Sequence, residues 1–361
     1  MTIIRTERTT CLWAPESAYG VFAAASKRFG IHDTIVVPDP EMNWRPVWDV
    51  GHTSRSRRTI LRGKWSLKGS VPDILLQPTA DARMLMSMAL GQTGTGWVME
   101  GLSGGSNATD QRLPSFTTQI LYHDTDGQGK LGRTYVGCKV NRATWSAREG
   151  EELRFSIDDF IAQTVFTDLA GTRHAAAGGQ AIYGIESRDP GPSDTGRYIF
   201  GGADIKLTIA GADLHLAHTR SFRLTIDNQL DPKYYLNRAD SGNFMQILSQ
   251  IVEGKRAYTC DIEVDLQDPS TDLALWGYLV NEGGPGGGKP TGCSITAAFE
   301  AEFQEGAAPH QLVLACDSTP TTLTVGAVLK AAAHGVPAPP AGLVPIPLSF
   351  DVGRVAIISS V

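Results

Sequence analysis

Short segments in which every second residue is apolar recur along the whole chain, and this pattern constrains the fold more than any other feature. One segment carries the alternation over nine residues, at Tyr258, Cys260, Ile262, Val264 and Leu266. Others with the same pattern are 136–140, 153–157, 205–209, 222–226, 295–303 and 348–352. A period of two places the apolar side chains on one face of a β-strand, so the sequence predicts a mainly β protein whose sheets bury one face.

Two segments instead have the spacing and the capping residues of a short amphipathic helix. In 79–90, Thr79 follows a proline, an aspartate falls in the first turn, and Gly91 stands just beyond the last apolar residue. Residues 270–281 repeat this arrangement, again after a proline and before a glycine-rich run. Because Ser and Thr accept hydrogen bonds from the first helical N–H groups and glycine ends helices, we expect one helix in each segment.

These two helices belong to an internal repeat. When the chain is shifted by 191 residues, six residues between 60 and 81 fall on identical residues, namely Ile60 on Ile251, Gly63 on Gly254, Lys64 on Lys255, Leu75 on Leu266, Pro78 on Pro269 and Asp81 on Asp272. Each copy consists of a Gly-Lys turn, an alternating strand and a proline-capped helix. Self-similarity at a fixed offset is typical of a duplicated structural unit.

The repeat continues more loosely towards the C-terminal side of each copy, where 134–140 and 153–159 resemble 312–316 and 348–353. We interpret the chain as a tandem duplication whose boundary lies in the Gly/Pro/Asp-rich run 175–196. The units are then residues 1–190 and 191–361, the second with an insert at about 321–345. Each unit is expected to be a β-sandwich or open barrel with one short helix.

Composition and charge exclude several classes of protein. The formal net charge is −6, whereas a protein that reads DNA sequence needs a basic surface. No run of 18 apolar residues is present, and the N-terminal residues lack the apolar region of a signal peptide, so we expect neither a transmembrane helix nor secretion. The five cysteines are irregularly spaced in apolar surroundings, and we expect buried free thiols.

Two short motifs formally match catalytic or nucleotide-binding signatures. Residues 101–105 match GxSxG with Ser103 at the centre, but a loop-like segment follows where a nucleophile elbow needs a helix. Residues 283–289 match the glycine-rich loop that cradles phosphate, yet Pro290 removes an N–H donor and a strand follows. We therefore predict no catalytic residue and no cofactor.

Two other motifs resemble metal sites. Residues 124–127 resemble the start of a calcium loop, but Tyr135 stands where a bidentate glutamate is required, and a hairpin tip is the better interpretation. His215 and His218 have a spacing that suits a helix, whereas their segment has the pattern of a hairpin. We predict no metal site.

Two loops, each before the Gly-Lys turn of its unit, combine aromatic residues with arginines. This composition is favoured in the centres of protein–protein interfaces, and the alternative is an ordinary surface loop with partly buried aromatics. We predict that these loops form contacts between subunits, through Trp44, Trp48, Arg55, Arg57, Arg58, Tyr234, Tyr235, Arg238 and Phe244.

Several of these segments resemble the tail tube proteins of long-tailed bacteriophages, specifically the long, two-unit kind. The resemblance is carried by the Gly-Lys segment 63–70 with its helix, by the Gly-Cys-Lys-Val-Asn strand in 135–144, by the opening strand of the second unit in 219–232, and by the turn 251–256. Asp227 and Asp231 depart conservatively from the family pattern, and 321–345 has no place on it.

The resemblance implies a structural virion protein and not an enzyme. In this family one sheet of each unit joins a closed β-barrel that lines a tube, so a two-unit chain is expected to form a trimer that imitates a six-membered ring. Rings would stack around a tape measure protein, between tail tip and terminator proteins, and DNA would pass through without sequence-specific binding. Assembly is expected in the host cytoplasm, and an acidic lumen would let DNA slide.

Two alternatives remain open from the sequence. A tandem β-sandwich could bind a receptor or a carbohydrate as part of a virion, in which case solvent-exposed aromatic platforms on a monomer are expected. A hydrolase would need Ser103 with a histidine such as His123, and no spacing in the sequence favours such a triad.

Overall fold

The structure is a computed structural model of the 361-residue chain. It describes residues 4–30, 32, 34–38, 40–42, 45–47, 59–61, 65–91, 113–124, 129–169, 196–209, 212–216, 218–236, 246–266, 293–301, 310–316, 327–332, 344–353 and 355–359. The elements of the first half are β1 (Ile4–Pro15), β2 (Lys27–Arg28), β3 (Pro40–Met42), β4 (Arg45–Val47), β5 (Thr59–Leu61), β6 (Trp65–Leu75), α1 (Ala80–Leu90), β7 (Phe116–Asp124), β8 (Gly129–Arg148), β9 (Arg154–Ile161) and β10 (Thr164–Leu169).

The elements described in the second half are all strands. They are β11 (Tyr198–Ile209), β12 (Ala212–His215), β13 (Thr219–Asp227), β14 (Asp231–Leu236), β15 (Gln246–Val252), β16 (Ala257–Leu266), β17 (Ser294–Ala301), β18 (Gln311–Cys316), β19 (Val328–Ala332), β20 (Val344–Val352) and β21 (Val355–Ser359). The predicted mainly β fold is therefore confirmed, and every alternating segment named above contributes to a strand.

An antiparallel sheet of eight strands, which we call the central sheet, runs through both halves of the chain in the order β3-β6-β9-β8-β13-β16-β20-β19. Its middle is the ladder between β8 and β13, in which Arg148 lies opposite Ser221 and Arg142 opposite Asp227. The two halves thus share backbone hydrogen bonds. Among the described residues, β3 and β19 are the outermost strands of this sheet.

Two smaller sheets cover one face of the central sheet. The first outer sheet has the order β2-β1-β7-β8-β10, and the second has the order β12-β11-β17-β18-β21. The ring centres of Phe116 in β7 and Phe160 in β9 lie 5.8 Å apart, and so do those of Phe222 in β13 and Phe299 in β17. These contacts join the sheets into one hydrophobic core, as in a β-sandwich.

Strand β8 belongs to both layers because it is long and changes sheet midway. Its residues up to Cys138 pair with β7, those up to Val136 also pair with β10, and from Lys139 onward it pairs with β9. Gly137 lies next to this change of partner with φ of 69°, and a Cβ atom there would come within 2.7 Å of the Gln163 Cβ. A glycine is therefore required at the change of sheet.

The strand order repeats between the two halves. In the central sheet, the first half contributes the order β3-β6-β9-β8 and the second half the order β13-β16-β20-β19. The strand that follows the Gly-Lys turn is second in both sets: β6 lies between β3 and β9, and β16 lies between β13 and β20. The outer sheets repeat in the same way, strand for strand. The segment 321–345 includes β19 and the start of β20, so part of it belongs to the central sheet.

Helix α1 confirms the first predicted helix with its predicted caps. The Thr79 Oγ1 accepts a hydrogen bond from the Ala82 N–H at 3.1 Å. Gly91 has φ of 96°, and its N–H donates to the Ser87 carbonyl at 2.9 Å. The helix packs on β8, where the Trp145 Nε1 lies 3.2 Å from the Met86 sulfur. The second predicted helix, 270–281, lies outside the described residues.

The cysteine prediction is correct for four of the five thiols. All five are free, and four are buried, whereas Cys11 is only half-buried. Burial raises the pKa of the Cys138 thiol and of the Cys260 thiol well above the usual value. These thiols stay protonated at neutral pH and behave as small apolar side chains.

Candidate assembly interface

Both aromatic-arginine loops of the sequence are built on two-stranded hairpins, which we call arms. The first arm pairs β4 with β5, and the second pairs β14 with β15. Along the chain, each arm lies between two strands that are neighbours in the central sheet, β3 and β6 for the first arm and β13 and β16 for the second. Pro46 lies opposite Ile60 in the first arm, and Pro232 lies opposite Ile251 in the second. The two arms therefore have the same register.

Most of the predicted interface residues lie outside the described part of the chain. These are Trp44, Trp48, Arg55, Arg57, Arg58, Arg238 and Phe244. Tyr235 is a backbone member of β14, opposite Ile247. Tyr234 is half-buried, and this burial raises its pKa.

Tyr234 packs against a small second hydrophobic cluster at the base of the second arm. Its buried members are Leu113, Ile161, Leu230, Leu248 and Ile251. Leu113 and Ile161 come from the first half of the chain, whereas the other three belong to the second arm and its approach. The second arm is thus held against the first half by apolar contact, in addition to the β8–β13 ladder.

A buried ion pair lies beside this cluster. The Lys139 Nζ donates to the Glu253 Oε1 at 2.5 Å and to the Ile251 carbonyl at 3.2 Å, and it lies 4.6 Å from the centre of the Tyr19 ring. The Leu113 N–H donates to the same Glu253 oxygen at 3.2 Å. A buried charge needs such partners, and here they come from both halves of the chain.

The second half also completes the C-terminal end of α1. The Asn228 Nδ2 donates to the Ala89 and Val140 carbonyls, both at 3.0 Å, and the Arg256 Nη1 donates to the Leu90 carbonyl at 2.9 Å. The last carbonyls of a helix have no partner within the helix, and a cation there is favourable because of the helix dipole. Asn228 is fully buried, so these hydrogen bonds are shielded from water.

The motif analysis did not single out these junction residues as functional. Lys139, Asn228 and Glu253 lie in segments that resemble the tail tube family, but the sequence assigned none of them a role of its own. The partners of Lys139 and Asn228 lie 114 and 139 positions away in the chain. Nothing in a local pattern indicates contacts over such distances.

The face of the central sheet opposite the outer sheets is polar and concave. Its hollow spans β6, β9, β8, β13, β16 and β20. Three described arginines, Arg148, Arg154 and Arg223, line it together with five described carboxylates, Asp73, Glu151, Asp158, Asp261 and Glu263. The described lining is therefore net acidic when all these groups are charged.

The motifs weighed as catalytic or metal-binding show no such arrangement where they can be described. His215 Nδ1 lies 3.0 Å from Asp204 Oδ1 on the pair of strands β11 and β12, as expected for a hairpin. No group of three or more His, Cys, Asp or Glu side chains in the described ranges could hold a metal ion. Residues 101–105 and 283–289 lie outside those ranges.

A comparison with protein families decides the class of the protein. Residues 6–352 match the family described as phage tail tube protein. The chain belongs to this family. As a tail tube protein it is a structural component of the virion tail. It self-assembles into a tube and associates with other parts of the tail. This agrees with a non-enzymatic role, and the resemblance noted from the sequence is confirmed.

Comparison with solved structures gives two similar chains. The SPP1 tail tube, determined by solid-state NMR and cryo-electron microscopy, aligns at 10% identity and a TM-score of 0.26 over 45% of this chain and 80% of that chain. A cryo-electron microscopy structure of the anti-feeding prophage baseplate aligns at 10% identity and a TM-score of 0.26 over 43% of this chain and 91% of that chain.

Comparison with curated protein sequences gave no match. The described residues include no helix long and apolar enough to cross a membrane.

Proposed function

We propose that three copies of this tail tube protein form a ring with six similar units and that these rings stack into the hollow tube of the tail. The single observation that carries the proposal is the central sheet, in which each half of the chain contributes four neighbouring strands in the same order. The units are residues 1–190 and 191–361. Three copies related by a three-fold axis then place six similar units around the ring, as in a six-membered ring of single-unit chains.

Ring closure follows from the two outermost strands of the central sheet. Within the chain, the last strand of the first set, β8, pairs with the first strand of the second set, β13. The corresponding strands at the outside are β19 and β3. If β19 of one copy pairs with β3 of the next, three chains of eight strands close a barrel of twenty-four strands, and the central sheet keeps no exposed edge in the ring.

The polar concave face of the central sheet would line the lumen, because the other face is covered by the outer sheets and α1. Its described lining has more carboxylates than arginines. A negative wall repels the phosphates of DNA, so DNA can pass through without binding to the wall. The tape measure protein would occupy the same channel before infection, during assembly in the bacterial cytoplasm.

The two arms, each inserted in the chain between neighbouring central-sheet strands, would contact neighbouring subunits. We assign the contact with the adjacent ring to the residues between the arm strands, namely Arg55, Arg57, Arg58, Arg238 and Phe244, with Tyr235 at the entry to the second arm tip. Arginine and aromatic residues are those that most often dominate the binding energy of an interface. At the two ends of the tube, the tail tip and terminator proteins would take the place of a ring.

Negative-stain electron microscopy of the purified protein, together with light scattering, tests this function. Rings with the mass of three chains, or hollow tubes built from them, are the expected result. Because some filaments need nucleation, a monomeric sample is next mixed with a tail-tip extract. A protein that stays monomeric there contradicts the proposal and favours the receptor- or carbohydrate-binding alternative.

A further inference from the structure

The central sheet has two different ends along the direction of its strands. At the arm end, Asp227 of β13 lies opposite Ala257 of β16, and the second arm is inserted in the chain between these residues. At the turn end, Ser221 of β13 lies opposite Arg148, and residues 149–153 connect β8 to β9. Ser221 and Asp227 lie about 20 Å apart along β13, because a strand rises about 3.4 Å per residue. Rings that stack head to tail, as proposed above, bring the arm end of one copy onto the turn end of another.

The turn end contains a recess of about 390 Å³ between the central sheet and the second outer sheet. Part of its lining is apolar and consists of Phe200, Ile205 and Leu216. The ionisable side chains that line it are Glu149, Asp204, His218, Arg220 and Asp265. Three carboxylates thus share the recess with one arginine, so its described lining is net negative even when His218 is protonated.

Two carboxylates of the recess can accept further hydrogen bonds. Asp265 is only 9% exposed, and its Oδ2 accepts from the Arg220 Nε at 2.6 Å, but its buried Oδ1 has no partner among the described residues. Glu149 is exposed, and its carboxylate forms no ion pair within the described part of the chain. A buried acceptor without a partner is costly, so the recess favours a cationic donor that would reach both carboxylates.

The arm end presents an unpaired cation. Lys255 lies between β15 and β16, its side chain is exposed, and it forms no ion pair with a described residue. Its neighbour Arg256 is bound to the Leu90 carbonyl, and Arg142 at the same end lies 3.6 Å from Asp227. A lysine suits the recess, because its four-carbon stem can pack on apolar side chains while the ammonium group donates up to three hydrogen bonds.

We propose that Lys255 of one copy enters the recess of the copy stacked on it and donates to Glu149 and to the Asp265 Oδ1. This inference rests on the proposed stacking of rings and names the residues that meet there. The contact joins two different surfaces, so it repeats from ring to ring and builds an open filament. Two turn ends placed face to face would bring negative recesses together, so the same charges select head-to-tail stacking.

A charge-swap series tests the proposal, with ring and tube fractions measured by electron microscopy and sedimentation. Glu149→Lys and Lys255→Glu each place like charges at the contact, so we expect intact rings and about a tenfold lower fraction of them stacked into tubes. The double variant should stack better than either single variant, because opposite charges face each other again. Glu300→Lys is the matched control, since it makes the same charge change on the exposed part of β17. Thermal unfolding checks that each variant is folded.

The outcomes separate this inference from the proposed function. If wild-type rings stack and both single variants stack equally well, the tube stands and the contact of Lys255 with the recess is wrong. Single variants that stack poorly without improvement in the double variant also overturn the pairing, and so does a loss of the rings themselves. Should a reversal fail to fold, Glu149→Gln and Lys255→Gln replace it, and each is expected to weaken stacking less. A wild-type protein that never stacks contradicts the function itself.

Discussion

Lys139 and Glu253 lie 114 positions apart in the chain, yet their side chains form an ion pair at 2.5 Å across the junction of the two halves. The lysine side chain is 5% exposed and the glutamate side chain 19%. Together with the β8–β13 ladder and the Asn228 hydrogen bonds, this pair ties the second arm to the first half. The junction is therefore a specific polar and apolar interface as well as a continuation of the sheet.

Removing Glu253 alone should destabilise the protein strongly. Glu253→Ala leaves the Lys139 charge buried without its carboxylate, and we expect a loss of about 3–5 kcal/mol in the free energy of unfolding. The double variant Lys139→Met with Glu253→Met buries no charge and should lose less than Glu253→Ala. Urea unfolding followed by circular dichroism measures both. Equal losses would contradict the assignment of a buried charge to Lys139.

The stability of the protein should depend strongly on the side-chain amide of Asn228. Asn228→Ala removes two hydrogen bonds and leaves the Ala89 and Val140 carbonyls without this donor, which should cost about 1–3 kcal/mol. Asn228→Asp has nearly the same shape but turns carboxylate oxygens towards these carbonyls, so it should be worse than alanine. Thermal unfolding of the two variants compares them, and an aspartate variant as stable as wild type would contradict the assigned contacts.

The buried thiols should be unreactive in the folded protein. Burial raises the pKa of Cys138 and of Cys260, so at pH 8 both remain protonated, and the thiolate is the form that attacks thiol reagents. We expect alkylation at these two residues to be slow until denaturant is added, as measured by mass spectrometry of digested protein. Rapid labelling of Cys260 under native conditions would show that the core at β16 opens.

Asp158 should make stability depend on pH in a defined direction. Desolvation raises its pKa above the usual 3.8, and the hydrogen bond from the Thr144 Oγ1 at 2.6 Å opposes this shift. Since the folded state holds the proton more tightly, the free energy of unfolding falls as pH rises through the raised pKa. Asp158→Asn keeps an acceptor for Thr144 and should remove this fall. The effect is expected to be small because the side chain is exposed within the hollow.

The arm tips should affect association and not folding. Arg57→Ala is expected to leave a cooperative thermal transition and ring formation intact while it weakens the stacking of rings, because an exposed interface residue contributes to binding and little to the stability of the chain. Trp48→Ala should likewise leave the fold intact and weaken the stacking of rings. Electron microscopy and light scattering measure ring formation and stacking for both variants. Loss of the cooperative transition in either variant would show that the residue belongs to the core.

The local elements of this protein could be predicted because their causes are local. The alternation at Phe222, Leu224 and Ile226 places all three side chains on the buried face of one strand, and the structure buries all three. Thr79 and Gly91 mark the two ends of α1 through hydrogen bonds to residues within four positions. The repeat and the family resemblance were also readable, since they depend on the identity of residues at fixed spacing.

The sequence by itself thus determined the mainly β class, the first helix with its caps, the doubled pattern and the family. Only the tertiary structure decided which strands are neighbours: that β8 changes sheet at Gly137, that β8 pairs with β13, and that Lys139 meets Glu253. The physical reason is that strand pairing is a choice among distant segments that all present the same backbone donors and acceptors. A period of two indicates which face of a strand is buried, but it carries no information on the strand beside it.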